Sequence, residues 1–240
     1  MKQLLINCDM GEGIGVDAAI MPWIQCCNLA CGGHAGEEKT MVETALLASE
    51  FKVNVGAHPS YPDREHFGRK PMIMSRELFK NAVFNQLKQF EEVIAKLNIP
   101  WYHVKAHGAL YHEGYENERV SHWLLETLSE FDFKYLFCPS NSLIFQLCKQ
   151  YNIQPLAEVF LDRRYDTNGR LVSRNEEGAV IASKEEILQQ LQDFWFRDEV
   201  AVEMSQWIKL QADTFCLHGD HLGCAEAARA INEWYERLSN

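Results

Sequence analysis

Residues 53–69 read VNVGAHPSYPDREHFGR. The opening Val53 to Ala57 is a short apolar run that reads as a strand, and the chain then breaks into a loop carrying Pro59 and Pro62. His58, Ser60, Asp63, Arg64, Glu65, His66 and Arg69 all lie in or beside that loop. A loop built only to turn needs Gly, Pro, Asn or Asp. A set of imidazoles, carboxylates and guanidiniums serves no turn geometry, and loops after strands in α/β proteins are where binding and catalytic groups collect. An ordinary solvated loop is the structural alternative, and the other strand ends decide between the two.

The same unit recurs outward from this stretch. Strand-like runs lie at residues 4–6, 26–30, 53–57, 102–105, 134–138, 155–159 and 213–217. Helical spacing occupies residues 37–51, 75–97, 117–130, a stretch from about 142 to 151, another from 183, and a final amphipathic run to 238. Asp17 reads as the N-cap of a short helix to Trp23, Ser75 caps the long third helix, and Ser183-Lys184-Glu185-Glu186 is a capping box. Leu78, Phe79, Val83, Leu87, Phe90, Val93 and Ile94 form a stripe that reads as core. Val200, Val202 and Met204, then Ile208 and Leu210, alternate as a short hairpin.

Strands alternating with helices predict a parallel sheet wound with helices. Asp9, His34, His58, Lys105, His107, Asn141, Asp162 and His218 fall at or just past strand ends. An open sheet would gather such groups at its switch point. Spread over all the strands, they converge only if the strands close into a ring. The expectation is an α/β fold, a TIM-like barrel in one domain spanning residues 1–240.

Composition bounds the function. A length of 240 residues suits one such barrel, and an apolar fraction of 47% is that of a globular protein. The net charge of -11 argues against nucleic acid, while leaving room for a small anion held by local Arg and Lys. No apolar run approaches membrane-spanning length, and the start of the chain does not read as a signal peptide. The eight cysteines include no CxxC spacing, which predicts a reduced, cytoplasmic protein without a structural zinc site.

Several groups carry chemistry. Asp9 and Glu12 place two carboxylates after the first strand, suited to acid and base roles if their environments differ; the alternatives are a turn cap and a solvated side chain. His34 sits among glycines, and Asp9, His34 and His58, with His218, are ligand types for a divalent metal. Lys105, followed by His107, needs an anion at a barrel mouth. Arg69, Arg163, Arg164 and Arg174 suit carboxylate or phosphate, or surface salt bridges. Ser60 beside His58 lacks a nucleophile elbow. Cys31 near His34 reads as a thiol nucleophile or, alternatively, a buried structural residue. The loop from Met10 to Gly15 lacks the lysine and hydroxyl of a P-loop.

Ordered motifs carry a resemblance over nearly the whole chain: Asn7-Cys8-Asp9-Met10-Gly11-Glu12, Asn28 to Gly36, Gly56 to Asp63 with Phe67-Gly68-Arg69, and His103 to Tyr111. Glu158-Val159-Phe160 with Asp162-Arg163, Tyr165, Gly169, Leu171-Val172 and Arg174, and then Cys216 to Asp220, complete it. Together they resemble the LamB/YcsF family, described as the A subunit of prokaryotic 5-oxoprolinase. Ala106 stands where the family usually has proline, and Leu161 where it has a small residue.

The resemblance implies a distorted seven-stranded β/α barrel, similar to the glycoside hydrolase/deacetylase barrels. It also implies ATP-dependent opening of 5-oxo-L-proline to L-glutamate, with two further subunits, B and C, as partners and ATP as co-substrate. Combined with the residue reading, it makes Asp9, Glu12, His58 and His218 the catalytic candidates. His34, Ser60, Arg69, Lys105, His107, Asp162, Arg163 and Arg174 are the substrate-binding candidates, and Asp9, His34 and His58 the metal candidates. Two alternatives stand beside this: a metal-dependent deacetylase or amidohydrolase acting alone, and a non-catalytic subunit that binds the lactam.

Overall fold

Side chains alternate across a strand, and in this chain the alternation separates apolar residues from polar ones. A computed structural model describes residues 3–202, 206–220 and 223–239. The strands are β1 (Ile6–Met10), β2 (Cys26–Ala30), β3 (Asn54–His58), β4 (Trp101–Lys105), β5 (Tyr135–Cys138), β6 (Pro155–Phe160), β7 (Glu199–Ala201), β8 (Trp207–Lys209) and β9 (Thr214–Leu217). The helices are α1 (Asp17–Ile20), α2 (Glu38–Glu50), α3 (Arg76–Lys96), α4 (Gly108–Glu113), α5 (Glu118–Leu128), α6 (Leu143–Leu147), α7 (Lys184–Arg197) and α8 (Cys224–Ser239). Seven strands close into a barrel in the order β1-β2-β3-β4-β5-β6-β9, with every pairing parallel. The ring expected from the spread of polar strand ends is therefore observed.

Ile6, Cys8, Met10, Leu29, Val55, Val104, Leu136, Val159 and Phe215 belong to the main core shared with the surrounding helices. The alternate positions face inward and are polar. Asn7 Nδ2 donates to Thr214 Oγ1 at 3.0 Å, and Asn28 Nδ2 donates to Asn7 Oδ1 at 2.7 Å. His103 Nε2 lies 2.7 Å from Asn28 Oδ1, and its ring stacks on Phe137 at 4.1 Å. Below this layer a small apolar cluster of Leu5, Cys26 and Phe137, with Tyr102, Tyr135 and Leu156 against it, closes the N-terminal end of the barrel. The interior is thus a plug, a hydrogen-bonded polar layer, and then the mouth.

This polar interior explains why β1 runs further than expected. Polarity at Asn7 and Asp9 reads from sequence as the end of a strand, but both side chains find partners inside the ring, so the strand continues to Met10. Helix signals fare well. Ser75 Oγ accepts from Leu78 N, and Ser183 Oγ accepts from Glu186 N. Asp17 is a correction: Val16 occupies the N-cap, and the Asp17 carboxylate instead accepts from Gly11 N at 2.8 Å. Leu78 is also corrected, being 61% exposed. It sits about 100° round the helix from Phe79 and so off the buried stripe. Helix α4, which begins directly after His107, has no counterpart among the expected helices. The hairpin β7–β8 is antiparallel as read, while Met204 lies outside the described residues. Among the described residues no helix is long and apolar enough to cross a membrane.

Gly56 makes room for the inner layer, since a Cβ there would sit 2.4 Å from ring atoms of His103. Gly56→Ala is therefore expected to destabilise the fold by about 1–3 kcal/mol. Thermal melting should fall by several degrees, at about 2–4 °C per kcal/mol for a chain of this size, and an unchanged melt would show that His103 has slack.

Candidate functional site

The inner-face positions at the C-terminal ends of β1, β3, β4 and β6 carry Asp9, His58, Lys105 and Glu158, and these build the floor of the mouth. Lys105 is 2% exposed, with Nζ 3.1 Å from Asp9 Oδ1, 3.0 Å from Glu158 Oε1 and 3.2 Å from Asn7 Oδ1. The anion that a lysine here requires is thus supplied by the protein twice over, by Asp9 and Glu158, while Lys105 also lines the cavity above this floor. Burial opposes the charge, but Asp9 and then Cys216 and Glu158 hold the ammonium well above its usual range. Burial likewise raises Asp9, yet His58 and Lys105 together bring it well below the usual carboxylate range. Asp9 is therefore an anion at neutral pH and has no proton to give.

The loop after β3 folds over this floor. Gly68 approaches Gly108 so closely that a Cβ on Gly108 would lie 2.6 Å from Gly68 O, and Ala109 N donates to that same oxygen. The contact draws Phe67 against His107, whose Nε2 donates to Phe67 O at 2.9 Å. His58 Nδ1 donates to Lys105 O at 2.8 Å. Both rings then present their remaining nitrogen to the same point, with His58 Nε2 and His107 Nδ1 3.0 Å apart. Glu12 Oε1 lies 3.6 Å from His107 Nδ1 and 3.0 Å from His34 Nε2. Ligand atoms of Glu12, His34, His58 and His107 all lie within 4.8 Å of one another, so this set could hold a metal ion. Asp9, a metal candidate from sequence, is not in the group; its Oδ1 is taken by Asn28 and Lys105.

His218 stands on the opposite lip, after β9. Its backbone N–H and its Nδ1 both bond Asp162, at 2.7 and 3.0 Å, and its ring stacks over Phe160. Asp162, expected to bind substrate, does not line the cavity; it orients His218 so that Nε2 faces Asp9 Oδ2 at 3.9 Å. A cavity of about 430 Å³ opens above these groups. Asp9, Glu12, His58, Lys105, His107 and His218 line it together with Arg69, Arg163, Arg174 and Asp220. Asp220 bridges Arg69 at 3.0 Å and Arg174 at 2.7 Å. Arg163 is buried with its Nε unpaired among the described residues, and burial beside Arg174 pushes its guanidinium down to about 10. Cations lining a cavity favour an anionic ligand.

Other expected residues fall elsewhere. Ser60 Oγ donates to Tyr61 O and Gln86 bonds its backbone, so Ser60 fastens the loop to α3 and does not line the cavity. His34 lies behind Glu12, stacked on His107 at 3.6 Å. Asn141 pins the long loop after β6 through Asn168 O and Gly169 O. Arg164 pairs with Glu186 on the surface. Cys31 is buried, which pushes its thiol up to about 12 and removes it as a nucleophile, and all eight cysteines are free and buried. Glu158, Asn7, Asn28 and His103 take no role in the sequence reading. Their signal is a polar residue inside an apolar strand, most plainly Glu158 within Leu-Ala-Glu-Val-Phe.

The electrostatics of the floor can be tested in two ways. Lys105→Met takes the cation from buried Glu158 and leaves Asp9 only Asn28 and the histidines, and should cost about 3–5 kcal/mol in urea unfolding; wild-type stability in this variant would mean that the floor is solvated. His103 is held well below its usual range, first by burial and then by Lys105. Its unfolded form protonates below about pH 6.5 while the folded form does not. Stability should therefore be full above that pH and fall below it, at up to about 1.4 kcal/mol per pH unit, and His103→Asn should flatten that slope.

Comparison with known proteins agrees with this geometry. The chain is 36% identical to the A subunit of 5-oxoprolinase from Staphylococcus haemolyticus, covering 95% of this chain and 94% of that protein. It is also 36% identical to the protein of the same name in Thermococcus sibiricus, covering 96% and 93%. The crystal structure of the lactam utilization protein from Thermus thermophilus superposes with a TM-score of 0.90 at 28% identity, covering 99% of this chain and 97% of that one. Residues 4–239 match the LamB/YcsF family, and the chain belongs to it.

Proposed function

We propose that this chain acts as the A subunit of a 5-oxoprolinase, opening 5-oxo-L-proline to L-glutamate in the cytoplasm with ATP as co-substrate and two further subunits, B and C, as partners. The observation that carries the reading is a single cavity lined both by Asp9, His58 and His218 and by Arg69, Arg163 and Arg174. A small lactam bearing one carboxylate offers an anion to the guanidiniums and an amide to the carboxylate and imidazoles. The names of the relatives supply the substrate class.

A lactam carbonyl is a poor electrophile. Transfer of a phosphoryl group from ATP to its oxygen makes the carbon reactive. Water adds, the C–N bond breaks with a proton passing to nitrogen, and a second water converts the acyl phosphate to carboxylate and phosphate. His218 is the group placed to move these protons, because Asp162 fixes its Nδ1–H and leaves Nε2 free toward the cavity. Asp9, held as a carboxylate with Oδ2 3.9 Å from His218 Nε2, stabilises positive charge on His218 as the proton arrives.

The test is ADP and glutamate formation from 5-oxoproline and ATP, with the chain alone and with both partners. Turnover only in the full mixture supports the subunit reading; ATP-independent amide hydrolysis by the chain alone would favour an amidohydrolase. Within the active mixture, His218→Asn and Asp9→Asn should each lower kcat by about 10²–10⁴-fold, and Arg163→Gln should raise KM for 5-oxoproline. Full turnover by both the His218 and Asp9 variants would make this a binding subunit only.

A further inference from the structure

The contact between His58 and His107 poses a chemical problem. Each ring gives one N–H to a backbone carbonyl, Lys105 O and Phe67 O. A carbonyl oxygen can only accept, so these contacts assign the hydrogens to His58 Nδ1 and His107 Nε2. The other nitrogens carry lone pairs in the neutral rings, and they face each other at 3.0 Å. Asp9 Oδ2, a further acceptor, is 3.3 Å from the same His58 nitrogen, and Glu12 Oε1 is 3.6 Å from the same His107 nitrogen. Converging acceptors with no donor between them require a cation at their centre.

We propose that His58 Nε2, His107 Nδ1 and Glu12 Oε1 hold one divalent first-row metal ion, with a further coordination position open to the cavity. Three observations favour a metal over a shared proton. A proton between the imidazoles, held on His58, leaves Glu12 Oε1, whose own donor is His34, facing the lone pair of His107 Nδ1 at 3.6 Å. Ligands at about 2.0–2.2 Å around a tetrahedral ion sit about 3.3–3.6 Å apart, close to the 3.0 and 3.6 Å found here. Metal-bound histidines characteristically give their second N–H to a carbonyl or carboxylate, as both of these do.

His34 is a positioning residue, not a ligand. Its ring is parallel to His107 at 3.6 Å and 4°, so the in-plane lone pairs of the two cannot meet at one point. Its Nε2–H instead donates to Glu12 Oε1 and orients that carboxylate. Glu12, His58 and His107 all line the cavity, whereas His34 does not. Two imidazoles and a carboxylate with an open position make a donor set suited to zinc or cobalt, in a cavity that Arg69, Arg163 and Arg174 also line.

The test reads metal binding by the full chain without substrate, ATP or partners, so its outcome is separate from whether the chain opens 5-oxoproline. Chelator-treated protein is titrated with Zn²⁺ by calorimetry and with Co²⁺ by visible absorption. One ion per chain is expected, with affinity reduced at least about tenfold in Glu12→Gln and His107→Gln, by about 10–100-fold in His34→Gln, and not at all in His66→Gln. The proposal is overturned if natively folded wild-type chain binds neither ion below about 1 mM. It is equally overturned if folded Glu12→Gln and His107→Gln bind as tightly as wild type. Should a variant fail to fold, the wild-type titration still decides.

Discussion

The ammonium of Lys105, buried between Asp9 and Glu158, is the constraint on which the mouth of the barrel depends. An isolated charge at that depth would be prohibitively costly, and two carboxylates without the cation would be worse. Once the three are assembled, much else is set. Asp9 has one oxygen committed to Lys105 and Asn28 and turns the other toward His58 and His218. Because the partners come from β1, β4 and β6, the ion pairs also hold the ring of strands to a particular register.

Around that floor, reactive groups are oriented by neighbouring hydrogen-bond partners. Asp162 turns His218, the carbonyls of Lys105 and Phe67 turn His58 and His107, and His34 turns Glu12. Each is a hydrogen bond that selects one tautomer or one rotamer. Asp220 holds Arg69 and Arg174 in the same way, leaving Arg163 as the buried guanidinium with a nitrogen unpaired among the described residues. The site's chemistry is therefore largely a matter of which nitrogen carries a proton.

Much of the fold is legible in the sequence because its signals are local. Ser75 and Ser183 announce helix starts through a hydroxyl three residues before an amide, and the strands announce themselves by short apolar runs. The location of reactive groups at strand ends is legible for Asp9, His58, Lys105 and His218 for the same reason. The misreadings share a cause. Asn7 and Asp9 read as the end of a strand, and Glu158 suggests no role, because a polar residue in a strand has a partner only after the ring closes. Ser60 reads as a site residue by its proximity to His58 in sequence, but neighbouring side chains of an extended segment need not face the same side.

The sequence by itself determined the alternation of strands and helices, the parallel ring they must form, and the family to which the ordered motifs belong. Those follow from periodicity, capping and residue order, all carried along the chain. Only the tertiary structure decided that Lys105 is neutralised from within, that Asp162 serves His218, and that Glu12 rather than Asp9 joins the histidines. These pairings span separations of 22 to 96 residues and are set by which side chains share the inner face of a closed barrel. No local propensity encodes that, because the electrostatic partner of each group arrives from a different strand.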